Sequence, residues 1–155
     1  MKKPVSVFLS YASADRRLCG LLWADLKVAT QVDGTYDFTL WSMDENLLAG
    51  DDFDREIRGA LDASDLGVVA VSHAMLCSDY IQRVELGHFL DSSKLLVPVL
   101  LTNISAYADL RGLRPRQVYG WNDDYEACRS RAARRNWATG LAEELHRVLE
   151  ARSAR

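Results

Sequence analysis

Cysteine, proline and excess charge are all scarce in this chain. Its 155 residues include three cysteines and three prolines, and 19 basic against 22 acidic side chains leave a formal charge of -3. The thiols of Cys19, Cys77 and Cys128 are odd in number and widely spaced, with no CxxC pair and no histidine cluster. That excludes a disulfide framework or a zinc site and fits reduced thiols in a cytoplasmic setting. The charge balance has the wrong sign for a chain that binds by neutralising phosphates, so nucleic acid is not an expected partner. Long apolar runs are missing too. Nothing approaches the ~20 residues of a membrane span, and the start, MKKPVSVFLSY, lacks the apolar core and cleavage site of a secretory signal. Neither G-x-G-x-x-G after the first strand nor G-x-x-x-x-G-K-[ST] occurs, which removes the two commonest phosphate-cradling loops. A phosphoacceptor domain would need an acidic pair after strand one and an aspartate ending strand three. The chain has Ser10-Tyr11-Ala12 and Ser72-His73-Ala74 there.

What is present is alternation. With 48% hydrophobic and 26% charged residues, the composition suits one globular domain over residues 1–155, whether or not it belongs to a longer polypeptide. Apolar runs suited to buried strands alternate with segments of helical period, the pattern of an α/β domain with a parallel sheet. Strands are expected at 5–11 (VSVFLSY), 37–41 (DFTLW), 66–71 (LGVVAV) and 94–101 (KLLVPVLL), with a weak fifth at 117–121 (QVYGW). The run at 66–71 should lie at the sheet centre, and Pro98 argues for a bulge or an edge position in the fourth strand.

Helices are expected from Asp15 to about residue 29, from Asp51 or Asp52 through Leu61, from Ser78 or Asp79 to about Leu90, and from about Ala132 to Glu150. A single acid, Asp25, breaks the apolar stripe of the first. Between residues 102 and 116 only a short helical piece is expected. Five strand-helix units predict a flavodoxin-like three-layer sandwich around a five-stranded parallel sheet of order 2-1-3-4-5. In such a sheet ligands bind beyond the carboxyl ends of the strands, which directs attention to residues 10–15, 42–50, 72–78 and 102 onward.

Glu85 is the informative residue. At about 100° per residue it falls about 40° from Ile81, with Phe89 about 80° from Ile81 on the same side and Val84 about 60° away on the other. A carboxylate amid that apolar face costs desolvation energy unless it has a partner or a cleft. Two arrangements satisfy it: a partly buried ion pair with an arginine of a neighbouring element, or a crevice in which the acid does chemistry.

Taken together, VFLSYASADRRLCGLLWADL, WSMDENLLAGDDFDREIRGAL, DLGVVAVSHAMLCSDYIQRVELGHFL and LLVPVLL resemble a bacterial Toll/interleukin receptor (TIR) domain over essentially the whole chain. The family's F-[IL]-S-Y box matches Phe8-Leu9-Ser10-Tyr11. Its loop after strand two matches residues 42–51, with Asp44 and Gly50. A frequent bacterial form of the NAD-cleaving site, S-D-[FY]-I-x-x-x-E, matches Ser78-Asp79-Tyr80-Ile81 and Glu85. Many members carry a tryptophan four residues before that glutamate. This chain has Ile81 there, and its aromatic, Tyr80, lies one position earlier.

The resemblance implies an NAD glycohydrolase that gives nicotinamide and ADP-ribose or a cyclic isomer, with Glu85 catalytic and NAD as substrate rather than cofactor. It implies a homo-oligomer joined through TIR-TIR contacts of the 42–51 loop, a sensor domain or partner protein, and a role in bacterial defence. The alternative is a non-enzymatic TIR-TIR signalling module. Ser10, Tyr11 and Ala12 would line the nicotinamide and ribose pocket, although Tyr11 suits packing equally. Trp41 either closes that pocket or packs beneath the loop. Asp44 and Glu45 meet ribose or keep the loop solvated, and Tyr80 is the candidate ring for nicotinamide. Arg16 and Arg17 read as surface residues within reach of a pyrophosphate. His73 and Cys77 have the types of a base and nucleophile without a third orienting group, and the arginines of residues 129–135 read as a solvated helix start.

Overall fold

The computed structural model describes residues 1–42, 59–78 and 94–154. Strands β1 (Lys3–Ser10), β2 (Tyr36–Ser42), β3 (Leu66–Val71) and β4 (Leu95–Leu100) form one sheet in the order β2-β1-β3-β4. Every pairing is parallel, with Phe8 opposite Trp41, Ser10 opposite Val69 and Val69 opposite Pro98. All six residues of β3 are buried, as an apolar run between two neighbours requires.

The period-2 alternation of the strands divides the core between two faces. On one face Val5, Val7, Leu9, Val68, Ala70, Val97 and Val99 pack against two helices, α1 (Arg16–Gln31) and the C-terminal helix (Arg131–Ser153). Cys19, Leu22 and Leu26 come from α1, and Trp137, Leu141, Leu145 and Leu149 from the last helix, the stripe that its helical period predicts. Each of these large side chains contributes about 1.5–3 kcal/mol by leaving water. On the other face Val69, Val71 and Leu100 meet Met75, Leu76, Leu110, Leu113 and Val118.

Asp25, the acid within the α1 stripe, accepts a 2.7 Å hydrogen bond from the hydroxyl of fully buried Tyr125. Burial, and then this bond, push the Tyr125 phenol above its ordinary range.

The fifth strand is a correction. Among the described residues its place is held by one parallel bridge, Val99 with Tyr119. The Tyr119 amide donates to the Pro98 carbonyl and the Leu100 amide to the Tyr119 carbonyl, each at 2.8 Å. Pro98 presents its carbonyl to that side, so its ring nitrogen faces the same way and the preceding rung has no donor. Beyond Tyr119 the chain turns at Gly120, φ +75°. Among the described residues the sheet therefore has four strands and a single further rung, with Pro98 toward its edge as its missing donor demands.

Several smaller elements also differ from expectation. A 3-10 turn (Ser13–Asp15) precedes α1, a further one spans Tyr125–Ala127, and a short helical turn (His73–Leu76) follows β3. Where a short helical piece is expected between residues 102 and 116, a 3-10 turn spans Pro115–Gln117, at the end of that range and one residue past it. Residues 59–63 are helical, and Lys94 Nζ caps that end by donating to the carbonyls of Leu61, Asp62 and Ser64 at 2.8, 2.5 and 2.7 Å. The helix expected from Ser78 or Asp79 to about Leu90 lies, beyond Ser78, outside the described residues.

Candidate functional site

Beginning at the carboxyl ends of the strands, β1 closes on Ser10, which is 1% exposed and lies beside Val69 of β3. The following two residues part. Tyr11 is half-buried against the core on the α1 side, whereas Ala12 joins the core of the opposite face. Trp41 is half-buried and stacks on Phe8, its register partner, with ring centroids 5.0 Å apart and planes 27° from parallel. The structure thus brings Ser10, Tyr11, Ala12 and Trp41 to neighbouring strand ends. Asp44, Tyr80 and Glu85 lie outside the described residues, as does the 42–51 loop beyond Ser42.

β3 ends at Val71 and the chain bends at Ser72, whose extended backbone and hydroxyl cap the His73–Leu76 turn. Its Oγ accepts from the Met75 amide at 3.0 Å. The same hydroxyl donates to Asp15 Oδ2. Both residues lie within the strand-end windows 10–15 and 72–78 that the topology singles out. Each occupies a strand-to-helix junction, a visible signal, but their pairing is not visible. The nearby Cys19 thiol is buried, and burial, then the Asp15 carboxylate, push it far above its ordinary value and out of chemistry.

His73 and Cys77 meet four residues apart on the exposed side of that turn, Nε2 to Sγ 3.7 Å. Arg16 and Arg17 open α1 and are exposed. A separate open groove of about 600 Å³, lined among others by Tyr119, Asp123, Cys128, Ser130 and Trp137, contains none of the anticipated site residues. No group of three or more His, Cys, Asp or Glu side chains placed to hold a metal occurs among the described residues. No described helix is long and apolar enough to cross a membrane.

A parallel sheet whose order reverses between β1 and β3, with α1 on one face and the Ser72-capped turn on the other, defines a doubly wound α/β domain. Its crevice falls at that reversal. Within this class the chain belongs to the TIR domain family, whose model matches residues 7–133. Comparison with curated proteins gave no match.

Proposed function

We propose that this TIR domain is an NAD glycohydrolase of the bacterial type, that Glu85 is its essential carboxylate, and that it acts when assembled through the 42–51 loop in a defence response. The observation carrying this reading is the place of Glu85 in the sequence: an acid in a run of apolar helix-face residues, ending the S-D-Y-I-x-x-x-E motif. That motif starts at Ser78, two residues past the Ser72-capped turn His73–Leu76 that follows β3.

The chemistry asks for little else. When the nicotinamide-ribose bond breaks, its electron pair goes to the cationic ring and nicotinamide departs neutral. No general acid is needed, in contrast to ordinary glycoside hydrolysis with its paired carboxylates. Positive charge develops at the ribose C1′, where one carboxylate, orienting the hydroxyls in a water-poor cleft, stabilises it. Water, or an atom of the adenine in the cyclising variant, then bonds to C1′; on hydrolysis a proton is released. A single acid suffices.

The test compares NAD turnover by concentrated wild-type protein with that of Glu85→Gln. Loss of about 100-fold or more in kcat is the expected result, the scale on which removal of one transition-state charge contact acts. Equal turnover by both, or none by either in the assembled state, removes the assignment.

A further inference from the structure

Asp15 occupies the N-cap of α1, where a carboxylate ordinarily accepts a hydrogen bond from one of the first helical amides. Its side chain makes no such bond. It reaches instead to the Ser72 hydroxyl, 57 residues along the chain. Ser72, 1% exposed, at the same time caps its own turn through the Met75 amide. One hydroxyl therefore ties the turn leaving β1 to the turn leaving β3. The helix that follows the first turn packs on one face of the sheet and the Ser72-capped turn on the other, and in this class of fold that divergence marks the ligand crevice. The bond joins the two segments where they diverge.

We propose that Asp15 and Ser72 are positioning residues that brace the crevice, holding the Ser72–Ser78 turn at a fixed place against Ser10, Tyr11 and Ala12. This rests on the NAD-cleaving reading, since the chain proceeds from Ser78 to Glu85 within seven residues. Without the brace the two turns splay, and the crevice is competent only part of the time. Apparent affinity falls by the competent fraction, while saturating substrate restores the closed form. The signature is a raised KM with kcat little changed, unlike that of Glu85→Gln.

The experiment measures NAD kinetics and amide hydrogen exchange for Asp15→Ala, Ser72→Ala, the double variant, Asp15→Asn and, as a control, Lys94→Met. Each alanine variant should raise KM about tenfold, the ratio that loss of a charge-assisted hydrogen bond sets. The double variant should be no worse than Ser72→Ala, because the pair acts as a unit. Asp15→Asn keeps an acceptor oxygen and should rescue most of the loss. Lys94→Met removes the cap at the amino edge of the sheet and should lower the melting point without moving KM, which separates positioning from stability. Exchange at the Met75 amide should speed up by about tenfold in Asp15→Ala and not in Asp15→Asn.

With an active wild type, an unchanged KM in Asp15→Ala, or an equal rise in Asp15→Asn, overturns the inference. A wild type that leaves NAD intact overturns the reading beneath it. Unaltered Met75 exchange in Asp15→Ala removes the brace in either case.

Discussion

Asp33 carries three polar contacts on one carboxylate. Oδ1 accepts from the amides of Thr35 and Tyr36, both at 2.8 Å, and Oδ2 lies 2.7 Å from His146 Nδ1 of the last helix. The Tyr36 hydroxyl in turn donates to Glu150 at 2.7 Å. Burial opposes the charge on Asp33, but the Tyr36 and Thr35 amides and the His146 ring outweigh it and hold the carboxyl below its ordinary value. The unfolded chain therefore takes up the proton first as pH falls. The stabilisation is complete above the unfolded value of about 4 and is lost as pH drops through the lower folded one. Asp33→Asn should lower the melting point at pH 7 by a few degrees, roughly 1 kcal/mol at this chain length. The gap to wild type should close below about pH 4; melting curves across that range check it, and a gap that widens on acidification would contradict the assignment. In the sequence Asp33 is a turn residue and His146 a helix residue, and their meeting has no local signature.

Elements were legible in proportion to their length and regularity. β3 spans the expected residues 66–71, and the last helix runs slightly beyond its expected range, because burial on both faces or along one stripe imprints a period on many residues at once. Short elements set by one hydrogen bond, such as the Ser72-capped turn or the 3-10 turn at Tyr125, imprint none. The truncated fifth strand shows how position decides. Gly120 has φ +75°, and a Cβ there would stand 2.7 Å from the Asp123 carbonyl and 2.9 Å from the Trp137 ring. That ring is itself held by its Nε1, 2.6 Å from the Asp123 carbonyl. Gly120→Ala should cost about 2–5 kcal/mol, combining backbone strain with overpacking, read from the urea midpoint. A change under about 1 kcal/mol would contradict both the backbone strain and the overpacking. Gly140, inside the last helix, has a different reason: the Tyr119 hydroxyl crosses over it to donate to the Trp137 carbonyl at 2.8 Å.

For the molecule as a whole, the family match ends at residue 133 while the last helix runs Arg131–Ser153. The unmatched part supplies Trp137, Leu141, Leu145 and Leu149 to the larger core. A chain ended at residue 133 takes Trp137, Leu141, Leu145 and Leu149 out of the core they share with Val5, Val7, Leu9 and Val97 and forgoes four burials of about 1.5–3 kcal/mol each, a total comparable to the whole stability of about 5–15 kcal/mol of an ordinary domain. It should lose its near-ultraviolet circular dichroism and bind a hydrophobic dye; a cooperative melt in the shortened chain would refute this.

By itself the sequence determined the alternation of strands and helices, the central place of β3 and the apolar pattern around Glu85, because hydrophobic period is a local property that every few residues repeat. Only the tertiary structure decided that the fifth strand stops after one rung, and that Asp15 meets Ser72, Asp25 meets Tyr125 and Asp33 meets His146. Polar groups pair by distance in space, and separations of 57, 100 and 113 residues leave no periodicity behind.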